Sequence, residues 1–239
     1  MHTPATGSAN TRFAKARARL ERYRPATGFS SWVYETALFG FKQGWACLFG
    51  GLMLGMLLGT HLYWPQNSPL ARYDALTLGA VAIQAAMLIL RLETLSEAKV
   101  ILAFHVVGTV MELFKTAYGS WLYPEPSVLR IAGVPLFSGF MYACVGSYIA
   151  RVWRIFDFHF PGYPRPLATY GLALAIYVNF FAHHWLPDIR LVLFAVMGLL
   201  FWRTQVVFRV WREDRRMPLL LGWFLVALFI WVAENVATF

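Results

Sequence analysis

Between Val100 and Tyr118 the chain reads VILAFHVVGTVMELFKTAY, an apolar run that carries His105, Glu112 and Lys115. An ionisable side chain in such a run is costly enough that it normally faces a bundle interior, a partner or water. At about 100° per residue, positions 105, 108, 112, 115, 116 and 119 fall along one side of a helix. One face therefore presents His105, Gly108, Glu112, Lys115, Thr116 and Gly119. The chemistry this implies is proton transfer: Glu112 as general acid or base, Lys115 pairing with it or neutralising a developing anion, and His105 or Glu234 as the complementary proton carrier.

Other polar residues extend the set. Glu234 and Asn235 stand near the end of the last apolar run, and Asn179 and His183 near the end of the fifth. Ser138 and Tyr142 are at i,i+4 spacing in the fourth, and Trp121 and Tyr123 directly follow the third. The two aromatics belong to an interfacial belt or roof a pocket. Ser138, Tyr142, Asn179, His183, Asn235, Trp121 and Tyr123 are thus the candidate substrate-binding residues, in a pocket opening outward with His105 beneath it. Imidazole and carboxylate also suit zinc or iron, but His183 and His184 are adjacent and diverge, so the spacing leaves a metal open. Gln84, in the middle of the second run, calls for an interhelical hydrogen bond or a place in the pocket lining.

The elements that must position these groups are membrane helices. Of 239 residues, 59% are hydrophobic, 17% aromatic and only 14% charged, with a mean hydropathy of +0.52; soluble domains carry about 25% charge. A crossing needs roughly 20 apolar residues. Seven runs qualify by approximate bounds: Leu38 to Leu62, Tyr73 to Leu90, Val100 to Tyr118, Ile131 to Val152, Leu167 to Leu186, Leu191 to Phe208, and Pro218 to Phe239. The sixth is the weakest because Arg203 interrupts it. The sequence predicts an all-α, polytopic transmembrane helical bundle of about seven spans. A basic cytoplasmic segment, residues 1–30, precedes a single transmembrane domain, residues 31–239. Within the first segment, Thr11 to Arg24 reads as an arm lying at the anionic inner leaflet.

Orientation follows from the basic residues. With the N-terminus cytoplasmic, seventeen Lys and Arg fall on the inner side and three (Arg72, Arg130 and Arg190) on the outer side, the asymmetry that sets topology in the bacterial cytoplasmic (inner) membrane. The net charge of +9 is consumed by this pattern and excludes a nucleic-acid face, which would cluster its cations outside a folded core. Cys47 and Cys144 both lie within apolar runs as small buried side chains. Gly51, Gly55 and Gly59 form a stripe at four-residue spacing that admits close approach of another helix, from this chain or from a second copy in a homo-oligomer.

At GTVMELFKTAYGSWLYPEP and GVPLFSGFMYACVGSY the sequence resembles DUF817, a bacterial membrane-protein family of unknown function. The resemblance covers nearly the whole chain and is most specific at Glu112, Lys115, Gly119, Ser120, Trp121, Tyr123 and Pro124, and from Gly133 to Tyr148. It implies that the family continues past the ending AENVATF, leaving an eighth span open. Three classes of function remain. The first is an intramembrane acid–base enzyme acting on a lipid-like or apolar small molecule. The second is a small-solute or proton-coupled transporter, and the third a structural or sensory membrane protein. Membrane lipids and an unidentified small molecule are the expected partners.

Overall fold

The computed structural model describes residues 19, 22–23, 28–65 and 67–238. The basic segment from Thr11 to Arg24 therefore lies, apart from Arg19, Arg22 and Tyr23, outside the described residues. From residue 28 onward the chain is mostly helical: α1 (Gly28–Ala46), α2 (Leu48–Tyr63), α3 (Arg72–Ile89), α4 (Leu95–Ala117), α5 (Phe137–Phe156), α6 (Pro166–Ala182), α7 (Arg190–Phe201) and α8 (Leu219–Thr238). The helical expectation holds, with two short antiparallel hairpins set between helices, β1 (Arg130–Ile131) with β2 (Val134–Pro135), and β3 (Gln205–Arg209) with β4 (Asp214–Pro218).

Each of the seven apolar runs contains a helix, but they are unequal. α3, α4 and residues Leu219–Val236 of α8 are long and apolar enough to cross a membrane. The first run is a pair, α1 and α2, bent by 64° at Cys47, and counts as a fourth if it crosses as one span. α6 and α7 have 17 and 12 residues, about 26 and 18 Å of helix. The run expected to start at Ile131 is helical only from Phe137. Ala132 and Gly133 both take positive φ, 44° and 86°, which is the two-residue turn that closes a tight hairpin. The run from Leu191 to Phe208 stops being helical at Phe201. Its end, Gln205–Arg209, is β-branched and aromatic and pairs with β4, and Val207 exchanges two backbone hydrogen bonds with His159.

The chain divides into two compact units. The described residues up to Phe156, with 210–212 and 237–238, form the first, whose core gathers Phe49, Met53, Ala80, Met87, Ile101 and Ala143. Its tightest seam joins α4 and α5, which run antiparallel with Glu97 beside Arg154 at one end and Glu112 beside Tyr142 at the other. Glycines permit this approach. A Cβ at Gly139 would lie 2.3 Å from Thr109 Oγ1 and 2.7 Å from the His105 carbonyl oxygen, and one at Gly108 would lie 2.5 Å from the Tyr142 ring. Gly139→Ala is accordingly expected to cost about 1–3 kcal/mol by overpacking, read as a lower unfolding temperature in detergent.

The second unit comprises residues 157–209 and 213–236. Its core packs Leu172, Leu193, Phe201, Val206 and Leu219. α8 leaves Phe224, Phe229 and Trp231 exposed, side chains suited to lipid rather than water.

Candidate functional site

Glu112 is held by its own helix and by the chain that leaves it. α4 opens with a capping box: the Thr94 hydroxyl accepts from the Glu97 backbone at 3.2 Å, and the Glu97 carboxylate accepts from the Thr94 backbone at 2.8 Å. It closes at Gly119, whose φ of 70° lets the chain reverse. Gly119 and Ser120 donate backward to the Thr116 and Lys115 carbonyls at 3.0 and 2.9 Å, a glycine-dependent helix stop. That reversal carries Trp121 and Tyr123 back over the last turns of α4.

The Glu112 carboxylate is buried and accepts three side-chain hydrogen bonds. Trp121 Nε1 and the Tyr123 hydroxyl donate to Oε2, each at 2.7 Å, and the Tyr142 hydroxyl, from α5, donates to Oε1 at 2.5 Å. All three donors are neutral side chains. The Lys115 ammonium lies 3.9 Å from the centre of the Trp121 ring, a cation–π contact on the same indole that bonds Glu112. Burial drives the Tyr123 phenol well above its usual range, and its bond to Glu112 adds to the effect. Tyr123 also sits edge-on to Tyr73 and Phe137, and Ser138 beside it donates to the Pro135 carbonyl at 2.8 Å.

Two further carboxylates fasten the segment that follows. Asp74, in the first turn of α3, accepts from the backbone N–H groups of Val128 and Leu129 at 2.8 Å each. Arg72 grips Glu125 through Nε at 2.9 Å and Nη2 at 2.5 Å. The stretch from Trp121 to Leu129 is thereby tied to α3 and α4 at three points. Sequence reasoning missed Asp74 and Glu125. Their signal was faint: an acidic residue at the start of an apolar run, and another between two prolines.

The other expected site residues have separate local roles. The His105 ring packs on Phe140 with centroids 4.2 Å apart, and its Nδ1 is buried with no hydrogen-bond partner among the described residues. It stands two turns along α4 from Glu112, about 10 Å. In the second unit, Asn179 donates to Asp188 at 3.1 Å and accepts from the Ile189 backbone at 3.0 Å, which locks the turn between α6 and α7. With Asn179 and Arg190 both donating to it, the exposed Asp188 carboxyl is held below the usual range. His183 Nδ1 lies 2.7 Å from the Phe180 carbonyl and its ring is tilted against that of His184, centroids 4.0 Å apart. Asn235 donates to the Trp231 carbonyl at 2.7 Å within α8, and Glu234 is exposed on the same helix. Among the described residues no three His, Cys, Asp or Glu side chains converge to hold a metal.

A buried carboxylate ringed by neutral donors, on helices of membrane-crossing length and composition, places the chain among helical proteins with an internal polar site. The chain belongs to the DUF817 family: that family's model, described as protein of unknown function, matches residues 35–239. The chain is also 44% identical over 207 residues to "Uncharacterized protein YoaT" of Bacillus subtilis (strain 168), a match covering 87% of this chain and 78% of that one. No solved structure matches.

Proposed function

We propose that this protein moves a small solute across the bacterial cytoplasmic membrane together with protons, and that Glu112 bears the proton. The carrying observation is the set of three neutral donors that reach one buried carboxylate from two segments, the 121–123 stretch and α5. Ionised, Glu112 accepts all three bonds. Protonated, it has a hydroxyl of its own to place and loses acceptor capacity. The tyrosines can turn to accept, but the Trp121 N–H cannot. With the proton on Oε1, Tyr142 turns to accept while Oε2 still accepts from Trp121 and Tyr123 without the charge that strengthens those bonds. Proton gain therefore weakens the hold of Glu112 on the 121–123 stretch and proton loss strengthens it, the coupling of a proton to structure that transport requires.

The topology in this reading has a cytoplasmic N-terminus and seven crossings, one for each apolar run. Its support is the seventeen-to-three division of basic residues. α6 and α7 are then short crossings that thin the bilayer around them. Positions Gly51, Gly55 and Gly59 have no described atom within 4 Å of where a Cβ would sit, so this face of α2 is open to lipid or to a second copy. The reading as an acid–base enzyme has less support, because three acceptor positions on Glu112 are already occupied.

The test is the full chain in liposomes enclosing a pH-sensitive dye, challenged with fractionated bacterial small molecules. At least one fraction is expected to drive proton movement with the wild type. Glu112→Gln should abolish that movement, and Glu112→Asp should retain part of it. Chemical conversion of a solute without proton movement, or undiminished coupling in Glu112→Gln, overturns the reading.

A further inference from the structure

At the opposite end of α4 from Glu112 lies a second buried charge cluster. Glu93, in the link between α3 and α4, and Arg151, on α5, have fully buried side chains, with Arg151 Nη2 3.6 Å from Glu93 Oε2. Gln84 Nε2, from α3, donates to the same Oε2 at 3.0 Å. Arg151 Nη1 donates to the Trp45 carbonyl in the last turn of α1 at 3.1 Å. Around these contacts, polar atoms are left over. Glu93 Oε1, Gln84 Oε1, Arg151 Nε and Nη2, and Ser147 Oγ one turn before Arg151 are all buried with no protein hydrogen-bond partner.

Such a set is not a finished structural ion pair. A pair kept only for packing closes its donors on its acceptors, because each buried polar atom left over is costly. Here donors from α5 and acceptors from α3 and the link stay open in one place, and water molecules are the small groups able to bond to both kinds at once. The charged groups facing Glu93 are Arg151 and Arg154 from α5 and Glu97 from α4. Arg154 is engaged with Glu97 at 2.8 Å, and Lys42 on α1 is turned to the Val210 carbonyl at 2.5 Å. Arg151 is thus the cation left to balance Glu93, at a distance beyond a hydrogen bond.

We infer that Glu93, with Arg151, Gln84, Ser147 and water between them, is a second proton-exchange site, at the end of the α4–α5 seam remote from Glu112. This rests on the proton-coupled reading for its role, since a coupled carrier needs a group that takes up or releases the proton on each side. It does not rest on that reading for its existence. Burial pushes the Glu93 carboxyl upward, opposed by Arg151 and Gln84.

Infrared difference spectroscopy of the full chain in lipid nanodiscs, titrated over about pH 4 to 9, decides it. A buried carboxylic-acid carbonyl band should appear as pH falls, with a midpoint above the ordinary glutamate value of about 4.3. The Glu93 contribution to it should vanish in Glu93→Gln and persist in Glu112→Gln. Gln84→Leu removes a donor to the ionised form and should raise the midpoint by about one pH unit, a tenfold gain in proton affinity. Absence of a band assignable to Glu93, or a midpoint indifferent to Gln84→Leu, overturns the site. A titrating Glu93 in a protein that shows no solute-driven proton movement sustains the site while the transport reading falls. Coupled movement without a Glu93 band has the reverse meaning.

Discussion

Glu112→Ala is expected to lower the unfolding free energy by about 1–3 kcal/mol, because it strands the half-buried Tyr123 and Tyr142 hydroxyls, while the Trp121 N–H, on an exposed residue, can turn to water. Relaxation of the 121–123 stretch toward water sets how much of that is recovered. Glu112→Gln should fall between wild type and Ala, since its carbonyl oxygen still accepts while its amide hydrogens oppose the remaining donors. Denaturant unfolding in detergent, followed by tryptophan emission, measures both. A loss below about 1 kcal/mol for the Ala variant would show that these bonds are not formed.

The second large effect belongs to Arg151. Arg151→Ala removes the cation facing a fully buried Glu93 and the donor to the Trp45 carbonyl. Breaking one side of a buried pair typically costs about 3–5 kcal/mol, whereas replacing both sides with apolar groups of similar volume is often neutral. Arg151→Met should therefore be strongly destabilising, and adding Glu93→Met should recover a large part of the loss. If the double variant is less stable than Arg151→Met alone, Glu93 is stabilised by something other than that guanidinium. All three variants are read from the same kind of unfolding curves.

What could be read from the residues alone follows how local the signal is. Glu112 stood out because a carboxylate in an apolar run has no cheap explanation. Tyr142 was brought in by the polar face of its own segment. Trp121 and Tyr123 were placed beside the site only as one of two readings, because ring chemistry at a membrane boundary looks alike in both roles. The reversal at Gly119, a single positive φ, is what turns them inward. Arg151, Arg154 and Lys42 were read for the sign of their charge and its side of the membrane. Their partners are 57 residues or more away along the chain for Arg154 and 168 for Lys42, and no periodicity encodes such a pairing. Glu93 and Glu97 fell between runs and drew no interest for the same reason. The hairpin at Gln205–Arg209 was hidden because Val206, Val207 and Phe208 suit a membrane helix as well as a strand, and only pairing with residues 214–218 decides the matter.

The stitching of Trp121–Leu129 to α3 and α4 by Glu112, Asp74 and Arg72 has a consequence for recognition from outside the molecule. An oily seam can slide among nearly equivalent registers, but one sewn by directional bonds at three places has a single shape. That stretch is a conformational epitope: a binder selected on it would ignore the denatured chain, and a synthetic peptide of the same residues would compete poorly.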